Sequence, residues 1–177
     1  MMQTGRLGDD TTIDVNVKVR GFEHVVDEHR KYDDGETVAQ GYIPQRGTKG
    51  SAGYDLCTPI SFEINPGETY MLWTNIKAYM LQDEVLWIDV RSSVGIKKHV
   101  YLENVIPIID SDYFSNPKND GNIGLCLRNN GEWIVSFEKG DAICQGLFMK
   151  YLITDDDCPK TEERVGGIGS TTKKTKR

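Results

Sequence analysis

Short segments in which apolar and polar residues alternate constrain the fold of this chain more than any other feature. Such period-two patterns bury one face of a β-strand and leave the other face in water. Residues typical of turns, such as Pro66-Gly67, separate the segments. This spacing predicts an all-β domain, a jelly-roll-like barrel or sandwich with at most a short helix or two. The alternating apolar positions are Ile13, Val15, Val17 and Val19, then Ile123, Leu125 and Leu127, then Trp133, Val135 and Phe137.

The patterning divides the chain into three parts. We expect a loose leader over residues 1–12, the β-domain over residues 13–154, and a flexible C-terminal arm with a Gly-rich stretch and a basic tail over residues 155–177. The helical spacing of Phe22, Val25, Val26 and His29 leaves room for one short helix, and a loop is expected around Gly35. A hairpin turn is expected at residues 129–131.

Charge and composition exclude several classes of function. The net charge is −6, and because the last five residues carry +4 the rest of the chain is −10 (−6 minus 4). An acidic body disfavours binding to a nucleic-acid polymer but not to a small phosphorylated ligand. No apolar run approaches the ~18 residues of a membrane span, and the N-terminus lacks the apolar core of a secretion signal. The four cysteines are widely spaced, which predicts reduced, mostly buried thiols in a cytoplasmic protein and no zinc site.

Five short segments combine residues that can bind or activate a ligand. Each segment also has a purely structural explanation: Asp55 can be a turn residue, Ser92 or Ser93 a helix cap, Asp110 part of an Asx turn, and Gln145 a satisfied core amide. The Gly-rich stretch can be a flexible tail. The segments are AGYDL at 52–56, RSS at 91–93, IDSDY at 109–113, GDAICQ at 140–145 and RVGGIGST at 164–171.

The functional interpretation of the same segments concerns phosphate and base chemistry. Arg91 beside two hydroxyl groups suits phosphate oxygens. The carboxylates of IDSDY end an apolar run, where desolvation can tune a general base. A Gly-rich loop with Arg164 and two hydroxyl groups can wrap a polyphosphate through its backbone N–H groups.

In this order and spacing, the five segments resemble the five motifs of the trimeric dUTPase family, over about residues 13–172. The resemblance implies a jelly-roll-like enzyme that hydrolyses dUTP to dUMP and pyrophosphate with Mg²⁺. This reaction limits uracil incorporation into DNA and supplies dUMP. The resemblance also implies a homotrimer with sites at the subunit interfaces, and it suits a bacterial or bacteriophage branch of the family.

The resemblance assigns a role to each matching residue. Asp110 matches the base that deprotonates the attacking water, and Tyr113 matches the ring that packs under the deoxyribose and rejects ribonucleotides. Asn104 and the hairpin backbone up to Ile109 match the uracil pocket, and Asp55 matches the carboxylate that holds magnesium through water. The phosphate contacts match Arg91, Ser92, Ser93 and Gln145. The arm that closes over the triphosphate of a neighbouring subunit matches Arg164, Ile168, Gly169, Ser170 and Thr171.

Several departures from the family pattern leave details open. Ile168 stands where an aromatic residue usually stacks on the base, and Pro107 stands where glycine is common and removes one backbone N–H. Segments 22–45 and 114–120 are longer than usual, and they could serve as passive loops or as a surface for a regulatory protein partner. A dCTP deaminase of the same fold is a further alternative, but residues 123–127 lack the glutamate that deamination needs.

Overall fold

The chain forms an all-β fold, as the alternating segments predict. The computed structural model describes residues 3–5, 13–15, 18–32, 39–159, 164, 166 and 167. Among these residues, no helix combines the length and the hydropathy needed to cross a membrane. The strands are β1 (Gln3–Gly5), β2 (Ile13–Val15), β3 (Gly21–His24), β4 (Gln45–Arg46), β5 (Tyr54–Cys57), β6 (Phe62–Ile64), β7 (Thr69–Trp73), β8 (Ile76–Tyr79), β9 (Glu84–Val90), β10 (Val100–Leu102), β11 (Ile108–Asp110), β12 (Gly124–Asn129), β13 (Val135–Phe137) and β14 (Ala142–Lys150).

Two larger sheets share one hydrophobic core. The first has the strand order β11-β9-β14-β5-β4 and the second has the order β10-β12-β7, with antiparallel pairing throughout. Three two-stranded sheets accompany them: β13-β6, β3-β8 and β1-β2. Burying each large aliphatic side chain of the core contributes roughly 1.5–3 kcal/mol. The most deeply buried core residues include Leu56, Leu86, Ile88 and Ile143 from the first sheet and Leu72, Leu125 and Leu127 from the second.

Local sequence signals were confirmed where they concern one strand or one turn. In β12, Leu125 and Leu127 are fully buried while Gly124, Cys126 and Arg128 are only partly buried, as period two requires. The Pro66-Gly67 step forms the expected turn: Gly67 has φ +76°, and the N–H of Glu68 donates to the carbonyl of Asn65 at 3.1 Å. These features depend only on neighbouring residues, so the sequence is sufficient to predict them.

The short helix that the spacing allows over residues 22–29 forms only at the end of that segment. Phe22 lies in β3, which pairs with β8, and the helical residues in the described part of this segment are the short 3₁₀ turn Asp27–His29. Pairing with a neighbouring strand outweighs the weak helical spacing of this segment. The N-terminal strand also differs in extent from the expectation: β2 covers only part of the alternating segment and pairs with β1, which lies inside the expected leader. Gly35 lies outside the described residues.

The hairpin expected at residues 129–131 is wrong. Asn129 is a fully buried strand residue, and its side-chain N–H groups donate to the carbonyls of Ile64 and Trp133 at 2.9 and 2.7 Å. The strands on either side do not pair with each other, because β12 pairs with β10 and β7 whereas β13 pairs with β6. The Asn-Gly step therefore marks a crossover between sheets.

The cysteines are free thiols, as expected, but fewer are buried than expected. Cys144 is buried, Cys57 and Cys126 are half-buried, and Cys158 is exposed. Burial raises the pKa of the Cys57 and Cys126 thiols.

Both long segments are tied to the turn between β7 and β8. The side chain of Asn75 accepts a hydrogen bond from the N–H of Lys31 and donates to the carbonyls of Lys31 and Ala39, at 2.8–2.9 Å. The side chain of Asn122, at the end of the second long segment, donates to Asn75 at 3.0 Å. Asn75 and Asn122 are fully buried, so these amides form a network inside the protein.

Candidate active site

An open cavity of about 590 Å³ is lined by residues from the second, third and last quarters of the chain. One wall is the outer face of the β7–β12 pair, and the other is the segment between β10 and β11. This volume lies within the range of small-molecule sites. Of the residues singled out in the sequence, the cavity is lined by Asn104, Ile109, Asp110, Tyr113 and Arg164.

Asp110 lies at the end of β11, where the strand leaves the sheet. Burial raises the pKa of its carboxyl group, the positive charge of Arg164 lowers it, and the negative charge of Asp112 raises it. Overall the pKa is raised above its ordinary value. The guanidinium of Arg164 donates to the Asp110 carboxylate and, from Nε, to Asp112 Oδ1 at 2.7 Å. The arm residue Arg164 therefore contacts the carboxylates of its own chain.

Tyr113 lines the cavity, and hydrogen bonds hold its hydroxyl group. It lies in the 3₁₀ turn Ser111–Tyr113, and its ring is buried. Its hydroxyl donates to the carbonyl of Asn122 at 2.8 Å and accepts from Nδ2 of Asn119 at 2.6 Å. Burial raises the pKa of this phenol, so it stays neutral at neutral pH. The long loop after Tyr113 thus fixes the position of the ring.

The segment between β10 and β11 turns sharply at the cavity rim. Asn104 is exposed there, and Val105 has φ +63°. The N–H of Val105 donates to Leu102 at 2.9 Å, which closes the turn. Pro107 is buried, and its carbonyl accepts from the N–H of Ile88 at 3.0 Å, which anchors the segment to β9. The proline offers no N–H to a ligand, whereas the backbone groups around it lie at the rim.

Asp55, Arg91 and Gln145 form a second cluster. Asp55 on β5 lies opposite Gln145 on β14, and Nε of Arg91 contacts Asp55 Oδ1 at 3.2 Å. Asp55 is therefore a strand residue and not a turn or cap. Gly53 explains the small-residue step before it, because a Cβ there would lie 2.6 Å from Oε1 of Gln145.

Ser92 and Ser93 are exposed at the end of β9, beside this second cluster. They begin a short turn of π-helix, Ser93–Lys97, yet the side chain of Ser92 makes no capping hydrogen bond. The carbonyl of Arg91 accepts from the N–H groups of Val94 and Gly95 at 2.8 and 3.0 Å, and that turn is therefore closed by backbone groups. The expectation that a serine caps a helix here is not met.

The first cluster is the group of Asp110, Asp112 and Arg164. It and the second cluster lie at opposite ends of one sheet face. Asp110 is opposite Val85 near the start of β9, whereas Gln145 is opposite Asp89 near its end. Positions 85 and 89 are roughly 13 Å apart along the strand, and β11 and β14 flank β9 on opposite sides, roughly 10 Å from each other. Within one chain, the two clusters are too far apart to act on the same phosphorus atom.

The surroundings of Asp55 suit a magnesium ion held through water. Asp55 and Asp89 flank Gln145 on neighbouring strands, so two carboxylates face one region. No group of three or more His, Cys, Asp or Glu side chains that could hold a metal occurs in the described part of the chain. Magnesium commonly keeps several waters and binds through one or two carboxylates and substrate phosphates, so this donor set fits it.

Four predicted arm residues lie outside the described part of the chain, and five cavity residues were not predicted from the sequence. The arm residues are Ile168, Gly169, Ser170 and Thr171. The cavity residues are Met71, Trp73, Glu103, Gly124 and Cys126. Two features of the sequence could have indicated this face of the sheet: a glycine inside one strand, Gly124, and a tryptophan outside the buried face of another strand, Trp73.

Comparisons with known proteins agree on one family. The family model described as dUTPase matches residues 39–172. The deoxyuridine 5'-triphosphate nucleotidohydrolase of Lactococcus lactis subsp. lactis (strain IL1403) is 42% identical over 156 residues, which are 88% of this chain and 99% of that protein. The crystal structure of dUTPase from Streptococcus mutans is 38% identical with a TM-score of 0.65, covering 76% of this chain and 98% of that one.

A more distant structure shares the fold alone. It is a mutant dUTPase from phage phi11 of S. aureus, 16% identical with a TM-score of 0.60, covering 81% of this chain and 98% of that one. That protein coordinates a structural Mg(II) ion.

Proposed function

Because the chain belongs to the dUTPase family, we propose that it hydrolyses dUTP to dUMP and pyrophosphate. The observation that carries the proposal is the position of Asp110. Its carboxylate has a raised pKa and lines a largely apolar cavity whose volume lies within the range of small-molecule sites.

Asp110 acts as the general base in this mechanism. It takes a proton from water, and the water oxygen attacks the α-phosphorus in line. A bond forms between the water oxygen and the α-phosphorus, the bond to the bridging oxygen of the β-phosphate breaks, and pyrophosphate leaves. A base with a raised pKa binds the proton more strongly, which favours this step.

The cavity supplies recognition of the nucleoside. Asn104 and the backbone up to Ile109 bind the uracil edge, and the Tyr113 ring lies under the deoxyribose and leaves no room for a 2′-hydroxyl. The hydrogen bonds that fix the hydroxyl of Tyr113 support the role of its ring, and the exposure of the turn at Asn104 supports the contact with uracil. Cytosine would leave polar groups of the pocket unpaired, at a cost of ~1–3 kcal/mol each.

The second cluster binds the phosphates. Arg91, Ser92, Ser93 and Gln145 contact phosphate oxygens, and Asp55 would hold Mg²⁺ through water. When bound, the ion neutralises charge on the triphosphate. On substrate binding, Arg164 leaves the carboxylates for the phosphates, and the rest of the arm closes the site. The remaining arm contacts in this proposal are Ile168, Gly169, Ser170 and Thr171.

A homotrimer is part of the proposal, because one chain does not bring the two clusters together. The sheet face between them carries exposed apolar side chains: Trp87 and Met149 are each 39% exposed and Ile108 is 61% exposed. A second copy covering this face would bury the apolar side chains and place the phosphate cluster of one chain against the cavity of another. Hydrolysis of a nucleotide in the cellular pool would place the enzyme in the cytoplasm.

The hydrogen bonds of Glu103, the other carboxylate among the described lining residues, argue against the dCTP deaminase alternative. Glu103 lines the cavity, but both of its oxygens accept hydrogen bonds from Arg128. This pairing lowers the pKa of Glu103, which keeps the group ionised. A glutamate held in this way is poorly suited to shuttling protons for deamination.

The test is proton release from dUTP, with dCTP, dTTP and UTP in parallel, with and without magnesium. We expect selective hydrolysis of dUTP that magnesium stimulates. Ammonia release from dCTP would establish the deaminase instead. A folded protein without activity on dUTP would refute the proposed function, and the two long segments would then be examined as a binding surface for a protein partner.

A further inference from the structure

We propose that Trp73 contacts the substrate and forms the aromatic wall against which the pyrimidine base stacks. This inference rests on the proposed function and adds a residue to the site that no motif contains. The evidence is the direction of its side chain, its contact with Gly124 and the anchoring of its backbone.

The pairing register turns Trp73 toward the cavity. In β7, Trp73 lies directly opposite Gly124 of β12, and Met71 lies opposite Cys126, so these four residues share one face of the sheet. All four line the cavity. Leu72, on the other face, is fully buried in the core, whereas Trp73 is half-buried. The indole ring is therefore a wall of the cavity and not a core residue.

Gly124 provides the space that the indole ring occupies. A Cβ at this position would lie 2.8 Å from Cζ3 of Trp73, 3.1 Å from Cε3 and 3.2 Å from Cη2. These are atoms of the six-membered ring, so that ring lies against the backbone of Gly124. Any larger residue would push the ring away from the strand and into the cavity.

The backbone of Trp73 is held by a residue of the first long segment. The N–H of Trp73 donates to the hydroxyl of Tyr32 at 2.7 Å, and this hydroxyl donates to the carbonyl of Met71 at 3.4 Å. Burial raises the pKa of Tyr32 to about 12, so the phenol stays neutral and keeps its proton. The backbone that carries the indole is thus anchored before a ligand enters, which lowers the entropy lost on binding.

The two walls of the cavity offer complementary chemistry. The segment that begins at Asn104 also lines the cavity, and the Asn104 amide can form hydrogen bonds with the edge of a base. Among the described lining residues, the aromatic rings are Trp73 and Tyr113, at different places in the cavity. A planar base held at its edge also needs a partner for its face, and base–aromatic stacking commonly supplies this. Tyr113 packs against the sugar in the proposed mechanism, so the ring available for stacking on the base is that of Trp73.

Binding of dUMP to the full-length protein tests this inference, because it is read out separately from turnover. Trp73→Ala is expected to weaken dUMP binding by about 10-fold or more, as measured by isothermal titration calorimetry. Trp73→Phe keeps a ring and should lie within about threefold of wild type. Trp133→Ala is the matched control, since Trp133 is 80% exposed and does not line this cavity. Its affinity for dUMP should be unchanged.

Tryptophan fluorescence gives a second readout that does not require Trp73→Ala to fold. We expect dUMP to quench the emission of wild type and of Trp133→Phe, and most of this quenching to disappear in Trp73→Phe. In steady-state kinetics, Trp73→Ala should raise KM for dUTP more than it lowers kcat. A folded Trp73→Ala with wild-type affinity, or quenching that persists in Trp73→Phe, would overturn the inference. Wild type that hydrolyses no dUTP would instead refute the proposed function.

Discussion

The pKa of Asp110 results from opposing influences that single residues exert. Burial raises it, the guanidinium of Arg164 lowers it and the charge of Asp112 raises it. Arg164 reaches Asp110 across 54 positions of sequence, and its planar guanidinium bridges both carboxylates. The arginine therefore lowers the pKa of Asp110, the proposed general base, and also holds its carboxylate in position.

Replacing Arg164 should shift the pH dependence of hydrolysis. Asp110 must be ionised to accept a proton, so kcat/KM rises with pH through its pKa. Arg164→Ala removes the positive charge that opposes burial, which raises this pKa, and the acid limb of the profile should move to higher pH. The control Lys150→Ala breaks only the exposed pair with Asp83 and should leave the limb in place. An acid limb that stays fixed or moves to lower pH in Arg164→Ala would contradict this assignment.

Asn119 is a positioning residue for the ring of Tyr113. Asn119→Ala removes the donor to the Tyr113 hydroxyl, and we expect the ring to lose its fixed position. The ratio of kcat/KM for UTP over that for dUTP should rise roughly three- to tenfold, in line with the one hydrogen bond that the Tyr113 hydroxyl loses. Asn65→Ala is the control, because its side chain bonds only Glu68 in an exposed turn. An unchanged ratio in a folded Asn119→Ala would remove Asn119 from the specificity of the enzyme.

Among the elements, the long loop after Tyr113 is joined to β8 by a buried ion pair. Nζ of Lys77 lies 2.9 Å from both carboxylate oxygens of Asp120, which also accepts a hydrogen bond from the N–H of Val26. Burial acts to raise the pKa of Asp120, but these partners outweigh it and the pKa is lowered. The pair therefore stabilises the fold above the pKa that Asp120 has in the unfolded chain. This contribution is lost as pH falls through the lower, folded-state pKa.

Breaking this pair should destabilise the protein more than breaking a surface pair. Lys77→Met leaves the Asp120 carboxylate buried without its cation, and the free energy of unfolding in urea should fall by about 3–5 kcal/mol. The double variant Lys77→Met with Asp120→Asn should recover part of this loss. Lys150→Met, which breaks an exposed pair, should cost less than about 1 kcal/mol. Equal losses for the two lysines would show that the loop is not held by the buried pair.

This anchoring bears on the idea that the long loops are a surface for a protein partner. Asn116 and Asp120 are buried, and their side chains form hydrogen bonds with the carbonyl of Tyr113 and with Nζ of Lys77. That part of the second long segment supports Tyr113 and β8. A regulatory role for the loops stays a prediction, and the exposed residues of the same loop, Ser115, Pro117 and Lys118, are where it would be tested.

At the scale of the whole molecule, the proposed site depends on two chains. The first cluster, around Asp110, carries the proposed general base, and we call it the base cluster. The second cluster, around Arg91, is the proposed phosphate site, and we call it the phosphate cluster. The two occupy opposite ends of one sheet face, with exposed apolar side chains between them. A closed assembly of identical subunits repeats the same contact at each interface. Each interface can therefore combine one base cluster with one phosphate cluster.

Mixed assemblies of two inactive variants test this arrangement. Asp110→Asn and Arg91→Ala should each have little activity alone, with Asp110→Asn still binding nucleotide. After the two are unfolded and refolded together, about a quarter of wild-type activity should return, since each intact cluster is present at an interface half of the time. Wild type diluted with the double variant calibrates the assay. If the mixed sample shows only the sum of the activities of the two separate variants, each site is contained in one chain.

The part of this protein that the sequence alone determines is local. Period-two alternation specifies which face of each strand is buried, and Pro66-Gly67 specifies its turn, because both depend on neighbouring residues. The order and spacing of the five motifs along the chain indicate the family and the residue types of the candidate site, and both can be read without knowing which strands pair. Alternation does not specify which strands pair, and for that reason the hairpin expected at residues 129–131 is in fact a crossover between sheets.

The tertiary structure decided the features that depend on distant partners. Pairing with β8 made Phe22 a strand residue, and docking onto Asp110 placed Arg164. Register across β7 and β12 turned Trp73 into the cavity, and a loop hydrogen bond fixed Tyr113. Each of these contacts joins residues that no local pattern relates. Their free energy comes from burial and hydrogen bonds formed only when the sheets assemble.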